Sequence, residues 1–139
     1  MIRYVLDTDI LSLLQDGHAS VTARCAAAPS DFAISVITVE EVLSSWFTFL
    51  RRARTKDKVA LAYHRLAQSA QFVGSLPILP FPLSAIERFE QLKSLKLGVK
   101  APDLRIAAIA LENEAIVVTR NTRDFLVVPG LTVEDWSQP

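Results

Sequence analysis

Tyr4-Val5-Leu6-Asp7-Thr8-Asp9-Ile10-Leu11 decides how the rest of the chain is read. Three apolar residues of strand character stop at Asp7-Thr8-Asp9, and Ile10-Leu11-Ser12-Leu13-Leu14 then takes up helical spacing. Thr8 or Asp9 is the expected cap. A strand that passes so quickly into a helix is the first step of an alternating α/β chain.

The alternation continues outward. An Ala-rich helix is expected over residues 20–28, ending before Pro29, and a second strand over residues 32–36. Thr38-Val39-Glu40-Glu41 fits a capping box for a long helix through Trp46, Phe49 and Leu50. Another long helix is expected from Lys56 to Val73. Pro77, Pro80 and Pro82 bracket a short strand, Ile78-Leu79, and residues 84–95 read as a helix broken by Gly98. Pro102 suits the first turn of a helix that is apolar nearly all round from Leu104 to Leu111, and so deeply buried. A strand over 116–119, a polar turn over 120–124 and a last short strand over 131–133 complete the pattern. The expectation is an α/β fold, one domain over residues 1–139, with a central parallel sheet of four or five short strands and helices on both faces.

Composition excludes several function classes. Half of the 139 residues are hydrophobic and 22% are charged, which no disordered tail sustains. Fifteen basic residues balance fifteen acidic ones, so the chain is not a polybasic nucleic-acid binder, although a local basic face remains open. Residues 51–65 supply one, with Arg51, Arg52, Arg54, Lys56, Lys58 and Arg65 against the single acid Asp57. A charge run of this kind is more often a solvated helix face. Cys25 is the only cysteine, so neither an intrachain disulfide nor a thiolate metal site is available. No apolar run reaches the eighteen residues that a membrane span needs. The early carboxylate at Asp7 argues against a signal peptide, and the expected location is cytoplasmic.

In parallel sheets ligands bind outside the carboxyl ends of the strands. That rule selects Asp7 and Asp9 after the first strand, Glu41 after the second, and Asn121 and Asp124 after the strand at 116–119. Asp103, in the first turn of the buried helix, joins them. Each also has a plainer reading. Asp7 and Asp9 serve as helix caps, Glu41 as the arm of a capping box, Asp103 as a complement to the helix dipole, and Asn121 and Asp124 as turn residues. Only their joint placement is specific. Carboxylates gathered at one edge repel one another unless a cation compensates, and Mg²⁺ or Mn²⁺ prefers oxygen ligands. Such an ion takes up phosphate oxygens and lowers the pKa of bound water, which makes phosphodiester hydrolysis the leading chemistry.

At these residues the sequence resembles the PIN-domain family, and most of all the VapC-type toxin ribonucleases. Tyr4-Val5-Leu6-Asp7-Thr8-Asp9-Ile10-Leu11 resembles the first motif, and Ile34-Ser35-Val36-Ile37-Thr38-Val39-Glu40-Glu41-Val42 the second, with the acid at Glu41 rather than Glu40. Asp103-Leu104-Arg105-Ile106-Ala107-Ala108 resembles the third motif. Val118-Thr119-Arg120-Asn121-Thr122-Arg123-Asp124-Phe125 resembles the fourth, and the stretch from Pro129 to Trp136 the closing strand. Pro102 departs from the pattern, standing where the family often has Asn, and residues 44–75 carry no motif. The resemblance implies a Mg²⁺- or Mn²⁺-dependent endoribonuclease with Asp7, Glu41, Asp103 and Asp124 as metal-site and catalytic residues. It implies supporting roles for Thr8, Asp9, Thr119 and Asn121. Arg51, Arg52, Arg54, Arg105 and Arg120 are the candidate RNA contacts. The implied partners are RNA, a VapB-like antitoxin and a second copy of the chain, with residues 44–75 as the region the family often gives to its antitoxin.

Two rival readings remain at this stage. Leu6-Asp7-Thr8-Asp9 resembles the start of haloacid-dehalogenase-like phosphatases, with Asp7 as nucleophile and Asp9 as acid/base. Ile10 stands where that family prefers Thr or Val, and no lysine near the later acids completes its site. A non-catalytic binding module, receiver-like or with a vestigial site, is the other. A receiver needs a lysine after a late strand, where this chain has Arg120 and Arg123.

Overall fold

The computed structural model describes all residues, Met1–Pro139. Five short strands alternate with seven helices in the order β1 (Tyr4–Leu6), α1 (Thr8–Gln15), α2 (Ala19–Ala27), β2 (Phe32–Ser35), α3 (Val36–Arg52), α4 (Lys56–Gly74), β3 (Ile78–Leu79), α5 (Leu83–Ser94), α6 (Ala101–Glu112), β4 (Ile116–Val118), α7 (Thr122–Leu126) and β5 (Val133–Glu134). The sheet runs β3-β2-β1-β4-β5, and every pairing is parallel. β1 lies at the centre, with Leu6 level with Ile34 on one side and Val118 on the other. The chain builds outward first through β2 and β3, then through β4 and β5, so the strand order reverses around β1. Crevices at such a reversal are where parallel sheets place ligands.

Alternation along the strands splits the core into two layers. Val5 and Val117 face α5, α6 and α7, packing with Phe89, Ile106, Ile109 and Phe125. Leu6, Ile34 and Val118 face the other way, onto Ile10 and Leu11 of α1, Val21 and Cys25 of α2, and Val73 of α4. Helix α6 is buried at Leu104 and from Ile106 to Ala110, as its apolar circumference requires.

Trp136 closes the second layer. It is 2% exposed, stacks edge-on against Tyr4 at 4.9 Å between centroids, and donates its indole N–H to Glu134 Oε1. Ser20 Oγ donates to its backbone carbonyl at 2.8 Å, tying the chain end to α2. Trp136→Ala is expected to cost about 3–5 kcal/mol, the range for emptying a buried aromatic site. The check is a lowered urea midpoint at unchanged m value.

Five local expectations need correction. The cap of α1 is Asp7, not Thr8 or Asp9, because the extended backbone of β1 ends at Asp7 itself. The second strand stops at Ser35, and α3 starts at once with Ser35 as its cap, its hydroxyl accepting from Thr38 N–H at 3.2 Å. The Thr38–Glu41 capping box therefore does not form; both side chains lie inside the helix and turn toward α1. Residues 122–126 form a short helix rather than a polar turn, seated by buried Phe125. The last strand is Val133–Glu134, placed there by pairing with Val117 and Val118.

Candidate metal centre

Asp7 follows directly on β1, and its backbone N–H donates to Val118 O of β4 at 2.9 Å. The residue is 7% exposed, and both carboxylate oxygens are held: Oδ1 accepts from Thr8 N–H at 2.6 Å and Oδ2 from Thr119 Oγ1 at 2.9 Å. Thr119 Oγ1 in turn accepts from Asn121 N–H at 2.9 Å, which directs the hydroxyl proton toward Asp7. Asn121 Nδ2 donates to Asp124 Oδ2 at 2.9 Å, so the first turn of α7 is fastened to the same edge.

A second chain of hydroxyls reaches Glu41. Thr8 Oγ1 donates to Glu41 Oε1 at 2.7 Å and lies 3.1 Å from Thr38 Oγ1. A hydroxyl carries one proton, so Thr38 donates to Thr8 and Thr8 to Glu41. Thr38 is a positioning residue that sequence reasoning read only as a cap. Its spacing of three from Glu41 on one helix was the available signal.

The carboxylates feel one another. Burial, then the charges of Asp9 and Asp103, push Asp7 up to about 7 against the opposing hydrogen bonds from Thr8 and Thr119. Burial also raises Asp103, followed by the charges of Glu41 and Asp124, with Lys100 opposing. Asp9 Oδ1 is buried without any hydrogen-bond partner, while its Oδ2 lies 3.5 Å from Arg120 Nε. The structure thus brings together Asp7, Thr8, Asp9, Glu41, Asp103, Thr119, Arg120, Asn121 and Asp124. No three of the acids close on a common point.

A hard divalent cation fits this donor set. The groups are oxygen donors, two are pushed toward protonation by burial and then by neighbouring carboxylates, and one buried oxygen is unsatisfied. Asp7, Asp9, Glu41, Asp103 and Asp124 are the residues that would hold it, directly or through water.

The remaining arginines lie elsewhere. The guanidinium of Arg105 sits over the Phe89 ring at 4.9 Å, between α6 and α5. Arg51 and Arg52 end α3, with Arg51 Nη2 donating to Thr48 Oγ1, and Arg54 follows that helix. Arg51 is ten residues beyond Glu41, about 15 Å along the helix axis.

A PIN-domain family model matches residues 4–131. The chain belongs to the PIN-domain family. This PIN domain is 28% identical over 142 residues to the tRNA(fMet)-specific endonuclease VapC of Shigella flexneri, covering 99% of this chain and all of the relative. It is 25% identical to the protein of the same name from Salmonella typhimurium, over 98% and 99% of the two chains. Among solved structures it superposes on the DNA-bound VapBC of Salmonella typhimurium with a TM-score of 0.81, at 25% identity over 98% of this chain and 99% of that one. VapBC2 of Rickettsia felis, bound to a DNA fragment from its promoter, gives 0.76 at 26% identity over the same shares. Family membership leaves the phosphatase reading unsupported. No helix is long and apolar enough to cross a membrane.

Proposed function

We propose that this PIN domain, residues 1–139 acting as one unit, is a Mg²⁺- or Mn²⁺-dependent endoribonuclease. It is the toxin of a toxin–antitoxin pair, acting in the cytoplasm as a homodimer until a VapB-like antitoxin blocks it. The supporting observation is that Asp7, Asp9, Glu41, Asp103 and Asp124, drawn from separate parts of the chain, lie near enough at one edge for their charges to act on Asp7 and Asp103, beside the unsatisfied Asp9 oxygen. The names of the relatives and of the complexes carry the toxin assignment.

The protein's own groups then have distinct tasks. Asp7 is held in one orientation by Thr8 and Thr119, so it presents a fixed charge rather than a mobile nucleophile. Thr38 and Thr8 orient Glu41. Asn121 fixes Asp124 at the rim. A bound divalent ion supplies charge neutralisation at the scissile phosphate and a more acidic water. Arg120, drawn in by Asp9 but half exposed, is placed to meet the phosphate backbone.

The deciding experiment is cleavage of total RNA by the purified chain with Mg²⁺, with Mn²⁺ and with EDTA. Metal-dependent fragments are expected; cutting that persists in EDTA would sink the metal reading. A second measurement concerns the basic end of α3. Replacing Arg51, Arg52 and Arg54 together by Ala is expected to weaken RNA binding modestly. It should flatten the slope of log affinity against log salt by up to ~2, since each phosphate contact contributes about 0.7 for single strands. An unchanged slope assigns these arginines to another partner.

A further inference from the structure

Beside the carboxylates lies a pocket of ≈ 400 Å³ between α1, α3 and α4. Thr8 and Glu41 belong to its wall, so it opens directly onto the reacting centre. Its size falls within the range of small-ligand sites, about 300–1,000 Å³. Its chemistry is specific in kind. Gln15 and Gln68 offer amides, each able to donate and accept at once, and Ser12 adds a hydroxyl. Trp46, half-buried, contributes an aromatic surface. Arg65 is the one cation, set against Asp16 and Glu41. That balance leaves the pocket with a net negative charge, which is wrong for a phosphate and acceptable for a neutral ring. The neighbouring groove between α3 and α4, ≈ 710 Å³, ends at Arg52 and Lys58 and shares none of the catalytic residues.

We propose that this pocket seats the nucleobase of the nucleotide next to the scissile phosphate, and so sets which single-stranded RNA sequence is cut. The inference rests on the ribonuclease reading. Proteins that read single-stranded RNA stack unpaired bases on aromatic or guanidinium planes and hydrogen-bond their edges. Trp46 and Arg65 supply the planes, and Gln15 and Gln68 the edge contacts. The amides lie across the pocket on different helices, α1 and α4, so a base held between them is fixed in register relative to Glu41. Gln68 and Arg65 are exposed, three residues apart on α4, and neither touches the carboxylates through any hydrogen bond. They are specificity residues, separable from the chemistry.

The test compares wild type with Gln68→Ala and Arg65→Ala, each checked for an unchanged melting temperature. New 5′ ends are mapped after digestion of total RNA with Mg²⁺. Rates are measured on an oligoribonucleotide carrying the preferred wild-type site. The base preference beside the cut is expected to relax, and KM to rise roughly tenfold with kcat within roughly twofold, the pattern of lost binding rather than lost chemistry. In EDTA, each of the four nucleosides is titrated against tryptophan emission, with Trp46→Phe, which leaves only Trp136 emitting, as the blank. Quenching by the preferred base, lost in both variants, supports the pocket. Variants that keep wild-type base preference, KM and quenching overturn it while leaving the ribonuclease standing. A wild-type chain that cuts no RNA with either metal overturns the ribonuclease itself, and the pocket's role with it.

Discussion

Glu41→Gln is expected to lower RNA cleavage at least ~100-fold, the scale of losing a metal-site group, while the fold stays intact. The substitution is nearly isosteric. Gln keeps an oxygen able to accept from Thr8 Oγ1, so the chain from Thr38 through Thr8 persists. What disappears is one negative charge among five mutually repelling ones, and with it part of the attraction for a divalent ion. The same loss relieves Asp103, whose protonation Glu41 promotes. The metal-free variant should therefore melt no lower than wild type. Full cleavage by Glu41→Gln would remove Glu41 from the site and leave it as a helix residue hydrogen-bonded to Thr8. Thr8→Val offers a finer reading. It breaks the hydroxyl chain without touching a charge, so kcat should fall while metal affinity changes less.

Asp7→Asn is expected to abolish cleavage and yet stabilise the metal-free protein at high pH. Asp7 titrates near 7 in the folded chain and near 4 when unfolded. Between those values the folded state binds more protons than the unfolded one, so stability falls as pH rises through that window. Above it the buried charge costs on the order of 4 kcal/mol. Asn removes the charge but offers a single acceptor for the two donors Thr8 N–H and Thr119 Oγ1, which returns ~1–3 kcal/mol of that gain. In EDTA at pH 8 the variant should melt several degrees above wild type. At pH 5, where wild-type Asp7 is mostly protonated, the advantage should shrink or reverse. Adding Mg²⁺ at pH 8 should invert the order, since mass action stabilises only the chain that still binds the ion. Parallel melting curves at all pH values would show that Asp7 is not crowded in the way its surroundings indicate.

Both expectations describe one compromise. A core that buries a carboxylate beside four others is less stable than one that does not, and the site keeps its charge density at that expense. The fixed hydrogen bonds from Thr119 and Thr8 limit the cost by tethering Asp7 on both oxygens.

Much of this was written along the chain. Each strand is a short apolar run next to a helical period, and that alternation alone implies a parallel sheet with two helical layers. The carboxyl-edge rule then picks Asp7, Asp9, Glu41 and Asp124 from fifteen acids, because strand polarity and chain direction are local properties, and Asp103 joins them from the first turn of the buried helix. The near-total burial of α6 was equally legible, since a helix without a polar face has nowhere else to go.

Other features depended on what lay across the fold. Ser35, not Thr38, caps α3, because the strand ends at Ser35, where its ladder with β3 ends, and cap propensity ranks Ser and Thr too closely to choose. Thr38 gains its role from a hydroxyl thirty residues away, and Thr119 from a carboxylate one hundred and twelve residues away. No local pattern records such partners. The pairing of Arg120 with Asp9 and the stacking of Arg105 on Phe89 likewise separate two arginines that look alike in sequence. The sequence by itself determined the elements, their order and the acids at the edge, for these follow from periodicity and chain direction. Only the tertiary structure decided which hydroxyl orients which carboxylate, how far burial raises Asp7, and that a polar pocket opens beside Glu41. Desolvation and hydrogen-bond geometry belong to the packed molecule, where residues distant in the chain share one volume.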